Sequence, residues 1–197
     1  MCRDHRFAIA FLLLFMTTCS IAGTSSCTGR ERIERASDIA GRVLVIDGAG
    51  NEQVIEPETA TLGAEALAPR AIRGLQVAAD HCTVGWVVYY NHCCGPDAIP
   101  LVLHLYRHDA HHRIQRSMPI WRWAFAEQGR DTLIYLETVH GGFGRIYERL
   151  DTASGRLVAR WEPEVGPDNQ ILPNQMPPAW ALPLASDVTT RTPEGEL

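Results

Sequence analysis

Histidines, cysteines and a few carboxylates are the side chains in this sequence whose spacing suggests chemistry. His108, His111 and His112 fall within the run HDAHH, between two β-rich stretches. Imidazoles so close together can hold Zn²⁺ or Cu²⁺, and the competing reading is a solvated polar turn. A second group is His92-Cys93-Cys94 together with His140, which lies 48 residues after His92. The same offset relates Val77 to Phe125. If structure repeats at that interval, both loops emerge at one end of the fold, and two imidazoles with one or two thiolates suit Zn or Cu. A metal site of His92, Cys93, Cys94 and His140 is therefore one expectation. The other is a disulfide, because adjacent cysteines seldom both reach one ion and an oxidising compartment favours pairing. Asp97, Glu137 and His140 are the groups from which a hydrolytic site of unfamiliar type would be built.

Cys27, Cys82, Cys93 and Cys94 allow three disulfide connectivities. Neighbours on an extended chain point apart, so a Cys93–Cys94 bond is strained. Thr83 to Tyr90 as one straight strand would hold Cys82 roughly 30 Å from Cys93, so either that strand ends early or Cys82 pairs elsewhere.

What is missing excludes more than what is present. All 18 basic residues are arginine, and the chain has no lysine. P-loop, Schiff-base, S-x-x-K and kinase β3 lysine chemistry are therefore impossible. G-x-S-x-G, H-E-x-x-H and C-x-x-C are absent as well. The glycine-rich run from His140 to Gly144 is not followed by a helical pattern, so it lacks the helix N-terminus that binds phosphate. A net charge of -5 without a basic, aromatic-interleaved run argues against nucleic acid as a partner.

The first residues carry their own signal. Arg3 and Arg6 precede a ten-residue apolar run, Phe7 to Met16, and small polar residues follow. This is the layout of a secretory signal, and the run is too short to span a bilayer, which takes roughly 20 residues. Met16-Thr17-Thr18-Cys19 resembles a bacterial lipobox, which would make Cys19 a lipidation site. Ser20-Ile21-Ala22 would instead permit release as a soluble protein. The expected organisation is a signal segment over 1–22, a polar tether over 23–40, a β domain over 41–165 and an extended Pro-rich tail over 166–197.

Within the domain, Arg42 to Ile46 and Glu52 to Ile55 flank a run of turn formers, Asp47 to Asn51, and predict a hairpin. Glu58 to Ala68 is the helix candidate, closed by Pro69 and weakened by Gly63. From Gly74 two units follow with the order strand, tight turn, strand, longer loop, strand, tight turn, strand. The segments AFAEQGRDTLIYL and YERLDTASGRLVARW resemble blade segments of bacterial β-propeller repeats of the tryptophan-aspartate and pyrroloquinoline-quinone types. The resemblance covers Gly74 to Trp161 and implies four-stranded antiparallel units. A propeller needs at least four blades to close, so no family function carries over.

The expectation is an all-β protein in which two blade-like four-stranded antiparallel units pack as a sandwich or open β-stack, with an N-terminal hairpin and a Pro-rich C-terminal tail. Val84, Trp86, Val88 and Tyr90 on one face, with Val87 and Tyr89 on the other, mark a central strand covered on both sides. Arg145 to Leu150 alternates charged and apolar residues, as a strand nearer an edge would. Trp86, Trp121, Trp123 and Trp161 are expected in the core. His104, between leucines, reads as a core or edge histidine. Trp180, Leu182 and Leu184 are the anchors that would pin the tail to the domain.

These features predict a non-catalytic exported envelope protein, in the periplasm or lipid-anchored, that acts as a binding or interaction module with no cofactor. Its expected partner is another envelope protein, and it would meet a membrane only through a lipid on Cys19. The alternatives are a metal-binding or redox module using the His/Cys loop, and the hydrolase named above.

Overall fold

A computed structural model describes residues 27–91, 97–108, 110–128, 131–140, 144–164, 166, 172 and 175–185. The chain is all-β, with one helical turn near its end. Strands β1 (Ile33–Ile39), β2 (Arg42–Asp47) and β3 (Glu52–Ile55) form a first antiparallel sheet. A small hairpin follows, of β4 (Ala60–Leu62) and β5 (Glu65–Leu67). The middle sheet runs in order β6 (Pro69–Val77), β7 (Val84–Tyr90), β8 (Ile99–Arg107), β9 (Ala110–Gln115). The third sheet repeats that order with β10 (Ile120–Gln128), β11 (Asp131–His140), β12 (Gly144–Asp151) and β13 (Leu157–Trp161). The two four-stranded units expected from the sequence are these middle and third sheets.

Side-chain alternation along β7 decides how the sheets stack. Val84, Trp86, Val88 and Tyr90 join Ile33, Val43, Val45 and Ile55 in a core between the first and middle sheets. Val87 faces the other way, with Leu103 and Leu105, into a second core against Ile134, Leu136 and Leu150 of the third sheet. The middle sheet is thus covered on both faces, and burying each such side chain contributes about 1.5–3 kcal/mol. A third cluster covers the far face of the third sheet, where Tyr135 and Tyr147 meet Ala181 and Leu184 of the C-terminal segment.

The turn residues act as their chemistry dictates. Asp47 accepts backbone hydrogen bonds from Ala49 at 2.9 Å and Asn51 at 2.8 Å, closing the β2–β3 turn. A hydrogen bond from the Asn51 side chain foremost, then that from the Asn51 backbone, holds its carboxyl below the usual range.

Several elements differ from expectation. Residues 33–39, placed in the tether, form β1, because Ile33 is buried in the first core and its N–H donates to the His81 carbonyl at 2.7 Å. The 58–68 segment is the β4–β5 hairpin, with Gly63 at φ +61° between its strands. Ala60 and Leu67 point into the core while Arg113 takes the Glu58 carboxylate and the Thr59 carbonyl, each at 2.9 Å. These tertiary contacts override a weak helix preference. Strand β12 is an interior strand that lies beside the edge strand β13. Its charges are compatible with that place because they are paired: Glu148 with Arg116 at 2.6 Å, and Arg145 with Glu137. In the tail, Trp180 and Leu184 do pack on the third sheet, whereas Leu182 is exposed. The tail is not extended throughout, since Leu182–Ala185 makes a helical turn (α1) with Pro183 in its first turn, where the missing N–H costs nothing.

Candidate functional site

The histidine run HDAHH does not form a cluster. His108 lies in the β8–β9 turn beside a pocket shared with Glu31, Asp47 and Tyr106. His111 and His112 are successive residues of β9 and face opposite sides of the sheet. His112 pairs its Nε2 with the Ala153 carbonyl at 2.7 Å. His111 turns inward, its Nε2 2.9 Å from Nδ1 of His104. Strand alternation separates what a turn would have gathered. Among the described residues no group of three His, Cys, Asp or Glu converges as a metal site would require.

His104 is fully buried, with its ring stacked on Trp86 at 5.3 Å between centroids. Burial foremost, then the neighbouring His111 and Arg113, push its pKa down to about 3, so the ring is neutral in ordinary conditions. His104 Nε2 and Trp86 Nε1 make no hydrogen bond among the described residues. The core histidine expected from the sequence is there, with one nitrogen satisfied.

Glu137 is fully buried on the outer face of the third sheet, and both carboxylate oxygens are engaged, one by Arg122 Nε at 2.7 Å and the other by Arg145. Arg122 also donates to the Leu184 carbonyl, tying the tail to this group. Burial, then the adjacent Glu137, raises the Tyr147 hydroxyl. Asp97 lies exposed just before β8 in the middle sheet, so the two carboxylates expected to act together stand on different sheets. The backbone of His140 ends β11, opposite Gly144, while its side chain, His92, Cys93, Cys94 and Cys19 lie outside the described residues.

Among the described residues a disulfide joins Cys27 to Cys82. Cys82 therefore pairs away from Cys93 and Cys94, in keeping with the straight β7 that follows it. The bond fastens the start of the first sheet to the β6–β7 turn.

An open cleft lies elsewhere, between the middle and third sheets. It is a cleft of ≈ 400 Å³ bounded by Arg73, Tyr89, Trp121, Arg122 and Trp123, with Pro183 closing one side. Both strands that wall it carry irregularities at this point. In β6 the register with β7 jumps between Arg73 and Gln76, with Gly74 at φ +67°. In β10 the register with β11 jumps between Ile120 and Arg122, leaving Trp121 without a partner. Bulges bend a strand and re-aim a side chain. Trp121 is accordingly turned outward and is 64% exposed, contrary to its expected place in the core. Trp123, two residues on, forms the floor, and it fits because glycine stands beneath it. A Cβ at Gly85 would come within 2.7 Å of its ring, and one at Gly74 within 3.1 Å of its Nε1.

The Arg73 guanidinium lies over the Tyr89 ring at 5.2 Å and makes no ion pair among the described residues. Among the described residues no carboxylate lines the cleft, although the chain as a whole is acidic. This site was not found from the sequence. The available signal was Gly74, an isolated glycine inside a strand pattern, which marks a bulge.

Comparison with protein-family models, with curated proteins and with solved structures yields no match.

Proposed function

We propose that this is an exported, non-catalytic binding module of the cell envelope, recognising another envelope protein through the cleft between its middle and third sheets. The observation that carries the reading is Trp121, 64% exposed on a bulge beside Arg73 and Tyr89. Tryptophan, tyrosine and arginine are the residues that most often dominate the energy of a protein–protein contact. An exposed indole at the mouth of a cleft offers a partner a large, rigid, amphipathic contact. The charged start, the apolar run to Met16 and the small residues after it support export, and a Cys27–Cys82 disulfide suits an oxidising compartment. Blade-like sheets stacked face to face provide a rigid frame for such a site.

The test is capture from envelope extract by the full chain expressed with its own export segment, with wild type and Trp121→Ala run side by side. The reading expects a partner held by the wild type and lost by the variant at unchanged melting temperature. Equal capture by both proteins would remove the cleft from the recognition surface. Export itself is checked by deleting residues 1–22, which should leave the protein in the cytoplasm, and Cys19→Ala asks whether membrane attachment depends on a lipid.

A further inference from the structure

We propose that His104 and His111 form a two-nitrogen site for a soft monovalent ion, Cu(I), for which Ag(I) is the redox-inert stand-in. His104 on β8 and His111 on β9 share one face of the middle sheet and stand diagonally, since Tyr106 is opposite His111 and Arg113 opposite His104. Nδ1 of His104 and Nε2 of His111 face each other across 2.9 Å. The pair has a closed end and an open end. His104 is fully buried, whereas His111 is exposed on the edge strand β9. An ion therefore has a way in, and the outer ring can move back to admit it. Two bonds of ~2 Å from nitrogen to metal need the nitrogens about 4 Å apart, an opening of roughly 1 Å. The proton now shared between the facing nitrogens passes to the outer nitrogen of one ring, so both rings stay neutral.

What surrounds the pair selects the ion. Among the described residues no third His, Cys, Asp or Glu completes a set of three, so Zn²⁺ and Cu²⁺, which take three or more protein ligands, are poorly served. A monovalent ion with a filled d shell is satisfied by two nitrogens in line. Trp86 lies against both rings, 5.3 Å from His104 and 5.9 Å from His111 between centroids, so an indole borders the ion and its face attracts a cation. The Arg113 guanidinium is bound to the Glu58 carboxylate at 2.9 Å, so its charge does not stand alone against the ion. Trp86 belongs to the core facing the first sheet, on the other side of the middle sheet from the cleft, and the site does not depend on the cleft.

The experiment titrates the full chain, its free thiols first alkylated, with silver nitrate, with zinc chloride, and with Cu(I) held in acetonitrile without oxygen. Native mass spectrometry counts bound ions, and tryptophan fluorescence reports on the indole beside the site. Ag(I) is expected to bind at the pair with quenching, and Cu(I) to compete for the same place. His111→Ala should weaken Ag(I) binding by about 100-fold or more, beyond the ~10–100-fold cost of losing a group that only supports a ligand. His104→Phe, which keeps a ring beside Trp86, should act alike, while His112→Gln, on the opposite face of the same strand, should leave the affinity unchanged. His111 is exposed, so its variant should fold, which its melting temperature verifies. Ag(I) binding indifferent to both His111→Ala and His104→Phe overturns the proposal. Zn²⁺ held at this pair more tightly than Ag(I) overturns it as well, since the pair would then not be a two-ligand site.

Discussion

The two faces of the middle sheet are equally buried but chemically unlike. Toward the third sheet it presents Val87, Leu103 and Leu105, which meet Ile134, Leu136 and Leu150 in an aliphatic layer. Toward the first sheet it presents Trp86 stacked on His104, His104 against His111, and two tyrosines bonded outward, Tyr90 to the Glu58 carbonyl at 3.1 Å and Tyr106 to Gln53. That seam is also stitched by the Cys27–Cys82 disulfide. An aliphatic layer is held by area removed from water and is indifferent to protons, while a layer containing a buried imidazole depends on that ring staying neutral. The comparison teaches that one sheet can carry a pH-insensitive joint on one side and an acid-sensitive, covalently reinforced joint on the other.

The largest expected effect comes from the stitch. Cys27 and Cys82 are 55 residues apart, and a cross-link over a loop of that length stabilises by about 4 kcal/mol on the chain-entropy estimate. Cys27→Ser, or reduction of the wild type, should lower the urea midpoint accordingly. An unchanged midpoint would mean that the first sheet is held by packing alone.

Next in size is the aliphatic joint. Leu103→Ala removes a fully buried side chain and should cost about 2–5 kcal/mol, by the same amount at pH 5 and pH 7.5. A pH-dependent loss would show that the two faces are not separable.

Acid should act on the other face. The folded-state pKa of His104 is depressed to about 3 against an ordinary value near 6.5, so below pH 6.5 the unfolded chain binds a proton that the folded chain refuses. Stability is therefore full above about pH 6.5 and falls as pH drops toward 3, by about 1.4 kcal/mol per unit, or roughly 2 kcal/mol between pH 6.5 and 5. His111, whose pKa burial also lowers, adds in the same direction. Melting temperatures across this window should fall for the wild type and flatten for His104→Phe. An equal slope in both proteins would place the acid sensitivity elsewhere.

The smallest effect on stability is expected at the cleft. Trp121 is mostly exposed, so Trp121→Ala should move stability by no more than about 0.5 kcal/mol while abolishing partner capture. A large loss of stability would reassign Trp121 to the fold.

Much of the fold was legible because strand alternation is local. Val84 to Tyr90 declares two buried faces in its own sequence, and the turn formers at Asp47 to Asn51 and Asp151 to Gly155 lie where hairpins close. The candidate site was not legible in the same way. A β-bulge shifts register by one residue, and that shift turned Trp121 out of the core and left Trp123 in it, although both read alike as alternate residues of one strand. His108, His111 and His112 looked like a ligand set because they are near in sequence, but neighbours on a strand point apart.

By itself, then, the sequence determined the β class, the order of strands in the two four-stranded units and the double-sided burial of β7, since each rests on contacts between residues close along the chain. Only the tertiary structure decided that Cys27 meets Cys82, that 58–68 folds as a hairpin, that Glu137 is clamped between Arg122 and Arg145, and that Arg73 and Trp121 share a cleft. Each of these joins segments far apart in sequence or depends on a register jump, and local side-chain pattern sets which way a residue faces without setting what stands opposite it.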